Sequence, residues 1–97
     1  MSLEIANNIR NQIGNRAFAM IGAKNLSGGE NYLSFRIGRN AKSVNSIKVT
    51  LNAMDTYDVE YGRVHGTKYT IKSEDMGIYA DMLHGSIESN TGMYTSL

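Results

Sequence analysis

The sequence predicts an α+β fold, an antiparallel meander of about five strands with one face covered by an N-terminal and a C-terminal helix. Three observations lead there. Near the start, Ile5, Ile9 and Ile13 recur at the i, i+4, i+8 spacing of a single helical face. Between Tyr32 and Ile71, apolar and polar residues alternate instead, which is the period of half-buried strands. From Glu74 the helical period returns. One-sided alternation in successive strands implies an antiparallel sheet with one wet face.

The first helix is expected to run from an N-cap at Ser2 to a stop at Gly14, where the missing Cβ permits a left-handed residue. About three turns long, it needs a surface on which to dock its isoleucines. The next stretch, RAFAMIGAKNL, reads as a strand with Phe18 and Met20 on one face and Ala17, Ala19 and Ile21 on the other. SGGEN at 27–31 has the glycines of a turn. YLSFRI then places Leu33, Phe35 and Ile37 inward, and SIKVTLN does the same with Ile47, Val49 and Leu51. TYDVEYGRV sets Tyr57, Val59 and Tyr61 against Asp58 and Glu60. His65-Gly66 closes a tight hairpin into TKYTIK, whose Tyr69 and Ile71 share a face. Met76, Tyr79, Ala80, Leu83 and Ile87 then define the inner stripe of the last helix, with Gly77 and Gly85 packed close to the sheet. By this reading Tyr57, Tyr61, Tyr69 and Tyr79 are packing residues, and Tyr32 and Tyr94 are exposed.

Ninety-seven residues without cysteine, proline or tryptophan make one domain spanning 1–97, held by its core alone. The absence of disulfides suits a reducing cytosol. The longest apolar run, AFAMIGA, is far below the roughly 18 residues a membrane span needs. MSLEIANNIR lacks the basic start and apolar centre of a secretory signal. These features predict a cytoplasmic protein with no membrane role.

No catalytic or metal-binding pattern emerges. The two histidines, His65 and His84, lie nineteen residues apart; Asp55, Asp58 and Glu60 form a small acidic cluster, but Asp58 and Glu60 alternate onto the outer face of a strand, where carboxylates are simply solvated. No serine sits in a nucleophile elbow, and neither GxxxxGK[ST] nor GxGxxG occurs. Asp81 and His84 fit a helical i, i+3 surface pair. The chain is therefore expected to be non-enzymatic, with no cofactor.

The net charge of +1 hides an asymmetry. FRIGRNAKSVNSIK holds Arg36, Arg39, Lys42 and Lys48 and no acid, whereas residues 49–97 carry seven acidic and three basic groups. If Arg36 and Lys48 lie on the outer faces of flanking strands and Arg39 and Lys42 in the loop between, the four make a phosphate-binding hairpin. Tyr32 then offers a stacking surface, and Asn40 and Asn45 offer hydrogen bonds. The same residues also fit a solvated sheet face with protected edges, neutralised by Asp58 and Glu60 beside Lys68 and Lys72. The leading expectation is a nucleic-acid backbone binder. The alternative is a protein-interaction module, with another protein as partner or a homo-oligomer formed through the apolar tail residues Met93, Tyr94 and Leu97.

AMIGAKN, LSFRIGRNAKSVNSIKVTLNAMDTYDVEYGRV, IYADML and TGMYTSL resemble words found in a group of small uncharacterised proteins encoded by bacteriophages and prophages. The likeness covers most of the chain after the first helix. It implies a bacterial host cytoplasm and an accessory role that acts by binding, and it assigns no residue a function.

Overall fold

The computed structural model describes residues 3–95, so Ser2 and Leu97 lie outside the described residues. Helices α1 (Glu4–Ile13) and α2 (Asn15–Ile21) come first. Five strands follow: β1 (Lys24–Gly28), β2 (Tyr32–Arg36), β3 (Ser46–Leu51), β4 (Tyr57–His65) and β5 (Lys68–Ile78). A 3-10 turn (Ala80–Met82) leads into α3 (Leu83–Thr91). The strands form a single antiparallel sheet in the order β1-β2-β3-β4-β5, a simple meander, as the alternating pattern required. No helix among the described residues is long and apolar enough to cross a membrane.

One apolar cluster joins the helices to the inner sheet face. Ile9 and Ile13 of α1 and Leu83 and Ile87 of α3 meet Leu33, Phe35, Ile47, Val49, Val59 and Tyr61. Phe18 packs edge-on against Phe35, with centroids 5.2 Å apart and planes at 89°. That is the geometry the ring quadrupole favours. His84 Nε2 lies 2.7 Å from the Ile13 carbonyl oxygen and ties α3 to the end of α1, so the expected pairing with Asp81 does not govern this histidine.

Three expectations are corrected. RAFAMI is helical, burying Ala17, Phe18 and Ile21, while the strand begins only at Lys24 and is exposed throughout. Gly14 (φ 87°) ends α1 as expected, but the chain re-enters a helix at once. The spacing Ile9, Ile13, Ala17, Ile21 keeps every fourth residue on the core, whereas a strand would bury every second one.

The second correction concerns residues 74–80. The strand continues to Ile78, so Glu74, Asp75 and Met76 are strand residues, and Tyr79 precedes the 3-10 turn. Met76 and Tyr79 are 63% and 64% exposed, off the predicted inner stripe. Gly77 adopts φ 65° at a register shift between β4 and β5 and donates its N–H to Asp58 Oδ1 at 2.9 Å. Gly85 has open space where a Cβ would stand, so neither glycine reflects close helix–sheet packing.

Third, Tyr69 is an outer-face residue. Its ring covers Gly62 so closely that a Cβ there would clash with Tyr69 Oη. Its hydroxyl donates to Glu60 at 2.6 Å. Burial beneath its neighbours and then the hydrogen bond to Glu60 push the phenol well above the ordinary tyrosine range. The glycine removes a side chain from the strand, and the aromatic ring restores the cover.

Both sheet edges are blunted. Strand β5 carries two register shifts against β4, and β1 has one against β2, where Asn25 takes φ 56°. Bulges of this kind twist an edge away from regular pairing with another chain.

Thr95 is tied back onto α3. Glu88 Oε2 accepts the Thr95 N–H at 2.9 Å and its hydroxyl at 2.8 Å. These two bonds, with a smaller contribution from the charge of His84, hold the Glu88 carboxyl below the ordinary glutamate range. Because the folded value is depressed, the tether is at full strength above the ordinary glutamate value and is lost as pH falls through the folded one. We expect the Thr95 amide resonance to titrate with a midpoint below that of a free glutamate. A midpoint at the free value, or no change in Glu88→Gln, disproves the tether.

Candidate nucleic-acid interface

The loop from 37 to 45 is braced at every polar turn. Asn40 Nδ2 donates to the carbonyls of Gly38 and Val44, while its Oδ1 accepts the N–H groups of Lys42 and Val44, both at 3.1 Å. Asn45 engages both polar groups of Val64, donating at 2.9 Å and accepting at 2.8 Å, and so extends the β3–β4 ladder through a side chain. The backbone adds Gly38 N–H to Ile21 carbonyl at 2.9 Å and Asn45 N–H to Gly62 carbonyl at 3.0 Å. Val44, 1% exposed, pins the loop to the core. Ser43 completes the turn at φ 58°. Asn40 and Asn45 are therefore loop braces whose amides are already engaged, and not free groups for a ligand.

The four basic residues of the segment do not converge on one side. Arg36 ends β2, half-buried, with Lys24 and Ser46 as its cross-strand neighbours. Lys48 stands mid-strand between Ser34 and Glu60, and its Nζ lies 4.6 Å from the Tyr32 ring centroid. Beyond Glu60 comes Glu74, and Thr50 faces Asp58, so β4 and β5 present carboxylates alongside Lys48. Lys48 also shares a shallow groove with Asp58, Glu60 and Glu74. Tyr32 is half-buried, packed against Gly29 and beneath Lys48, so it is not an open stacking surface.

Arg39 and Lys42, both exposed, belong to a different neighbourhood at the loop end of the sheet. Arg39 lines a cleft of about 490 Å³ together with Asn40, Ser43, Val44, Asn45 and Arg63. Lys42 lines an adjoining groove of about 260 Å³ with Val44, Lys72, Ser73, Ser89 and Asn90. Among the described residues, no acidic side chain lines either hollow. The sequence alone missed Arg63. Its only signal was that β4 runs antiparallel to β3, which returns the chain to the 37–45 loop at its far end.

The tail residues are placed differently from a free interaction surface. Met93 is half-buried against the core and Thr95 is buried, while Tyr94 is 74% exposed. Among the described residues no three His, Asp or Glu side chains gather into a metal-sized group.

A polar network lies beneath α3. Tyr61 Oη and Ser86 Oγ are 2.6 Å apart, and Ser86 Oγ donates to Asp75 Oδ2 at 2.5 Å. Asn90 donates to the same Asp75 oxygen at 2.9 Å and accepts from Ser73 Oγ at 2.7 Å. Burial foremost pushes the Tyr61 hydroxyl far above the tyrosine range; the Ser86 bond offsets part of this and the Asp75 charge adds to it. A phenol so hard to ionise serves as a hydrogen-bond donor, and the network reads as helix–sheet cement.

Compared with known protein families, characterised proteins and solved structures, the chain matches none.

Proposed function

We propose that the protein is a non-enzymatic module that binds nucleic-acid backbone through the basic segment 36–48. The observation that carries the reading is the rigid 37–45 loop. It presents Arg39 and Lys42 to solvent beside hollows free of acidic lining, and Arg36 and Lys24 continue the positive row on β2 and β1. A preformed cationic loop holds phosphates with little ordering penalty, and phosphate contact requires no further motif. The engaged amides of Asn40 and Asn45 leave few groups nearby for reading base edges, so little sequence preference is expected.

Fluorescence polarisation with labelled single-stranded DNA, duplex DNA and RNA across a salt series tests this. Three to four phosphate contacts predict a log–log slope of about −2 to −4. Changing Arg36, Arg39, Lys42 and Lys48 together to Ala is expected to weaken binding and reduce that slope markedly. Unchanged binding by this variant removes the segment from the interface.

A further inference from the structure

We infer that Arg63 and Lys72, which lie outside the basic segment, complete the grip and confine it to a single strand of nucleic acid. The inference rests on the binding reading above and deepens it. Arg63 stands in β4 next to Val64, which Asn45 clasps, and its side chain lines the same cleft as Arg39. Lys72 stands at the register shift of β5, where β4 advances from Tyr61 to Gly62 while β5 passes from Ser73 to Ile71. The shift breaks the regular alternation and leaves Lys72 in the groove with Lys42. Val44, common to both hollows, forms the floor between them. Two cation pairs, Arg39 with Arg63 and Lys42 with Lys72, thus flank one continuous path around the loop.

The path has the form a single strand needs. The cations line concave hollows, which a thin, flexible backbone can follow and a stiff duplex cannot enter. A duplex also carries a second phosphate backbone that must lie somewhere on the protein. The outer sheet face carries Asp58, Glu60 and Glu74 around Lys48, and so repels a second backbone that reaches it. Neighbouring acids therefore select the strand number while the paired cations supply the attraction.

The test uses the full chain with a labelled single-stranded oligothymidylate and a duplex of equal length. Arg63 and Lys72 are both exposed, so Arg63→Gln with Lys72→Gln is expected to fold, with circular dichroism as the check. The control is Arg10→Gln with Arg16→Gln, which removes the same charge from the exposed surface of the helices. For single strands each phosphate contact contributes about 0.7 to the salt slope, so the Arg63/Lys72 variant should lose about 1.4 and the control nothing. The wild type should bind the single strand more tightly than the duplex.

If the Arg63/Lys72 variant loses no more than the control while the wild type still binds, the inference fails and the binding reading survives. Equal or tighter duplex binding overturns the single-strand assignment alone. No salt-dependent binding to either probe overturns both, and the cationic path would then belong to an acidic protein partner.

Discussion

Phe35→Ala is expected to destabilise the fold by about 3–5 kcal/mol, the range for deleting a buried aromatic side chain. Phe35 is 2% exposed at the centre of the inner sheet face, opposite Ile47 of β3 and edge-on to Phe18 of α2. Its removal opens a cavity bounded by strand and helix backbones, neither of which can collapse into it without breaking the meander or the α2 seat. Small domains have a total stability of about 5–15 kcal/mol, so the variant is expected to be partly unfolded at room temperature. Urea denaturation followed by far-ultraviolet circular dichroism reads the shift in midpoint. A loss below about 1 kcal/mol would mean that α2 does not seat on β2 as described. Adding Phe18→Ala tests the ring contact itself, since edge-to-face pairs couple by about 0.5–1.5 kcal/mol in a double-mutant cycle.

The second large effect is expected at Asp75. Its carboxylate accepts from Ser86 and Asn90, which are in turn linked to Tyr61 and Ser73, so one side chain anchors α3 to β4 and β5. Tyr61 is fully buried and Ser86 is 8% exposed, so water does not readily replace the carboxylate beneath the helix. Asp75→Ala should lower stability by about 2–3 kcal/mol, since a buried donor left unpaired costs about 1–3 kcal/mol and bonds to a charged acceptor lie at the upper end. In a Ser86→Ala background the same change should cost clearly less, because the hydroxyl that needed the carboxylate is gone. Equal losses in the two backgrounds would show that Asp75 acts on the edge strand alone and not through α3.

Asp75 also shows how a local pattern misleads. Glu74 and Asp75 resemble the acidic first turn of a helix, and Met76, Tyr79, Leu83 and Ile87 match helical spacing. Yet Asp75 faces inward because it satisfies Ser86 and Asn90 of the true helix, and Met76 points to solvent on the outer face. RAFAMI misleads in the opposite direction. A short apolar run contains no information about its period, and only the continuing four-residue spacing from α1 makes it helical.

The candidate interface divides in a comparable way. Sequence identifies an acid-free run of cations and places Arg36 and Lys48 outward correctly, because alternation decides which face a strand residue takes. It says nothing of Lys48 turning to Tyr32, since that contact runs diagonally between paired strands. Nor does it show that Asn40 and Asn45 are braces, because an asparagine in a loop looks the same whether it binds its own backbone or a ligand.

By itself, then, the amino-acid order determined the α+β class, the meander and the inward residues of β2, β3 and β4. Each of these follows from two-residue alternation and from the burial of apolar side chains, which are local rules. Tertiary structure alone decided that a helix replaces the expected strand at 15–21, that a strand replaces the expected helix at 74–78, and that Arg63 and Lys72 join Arg39 and Lys42. Those outcomes depend on register shifts and on contacts between residues twenty or more apart in the chain. Such contacts arise from chain closure around a shared core, and no short window of sequence contains them.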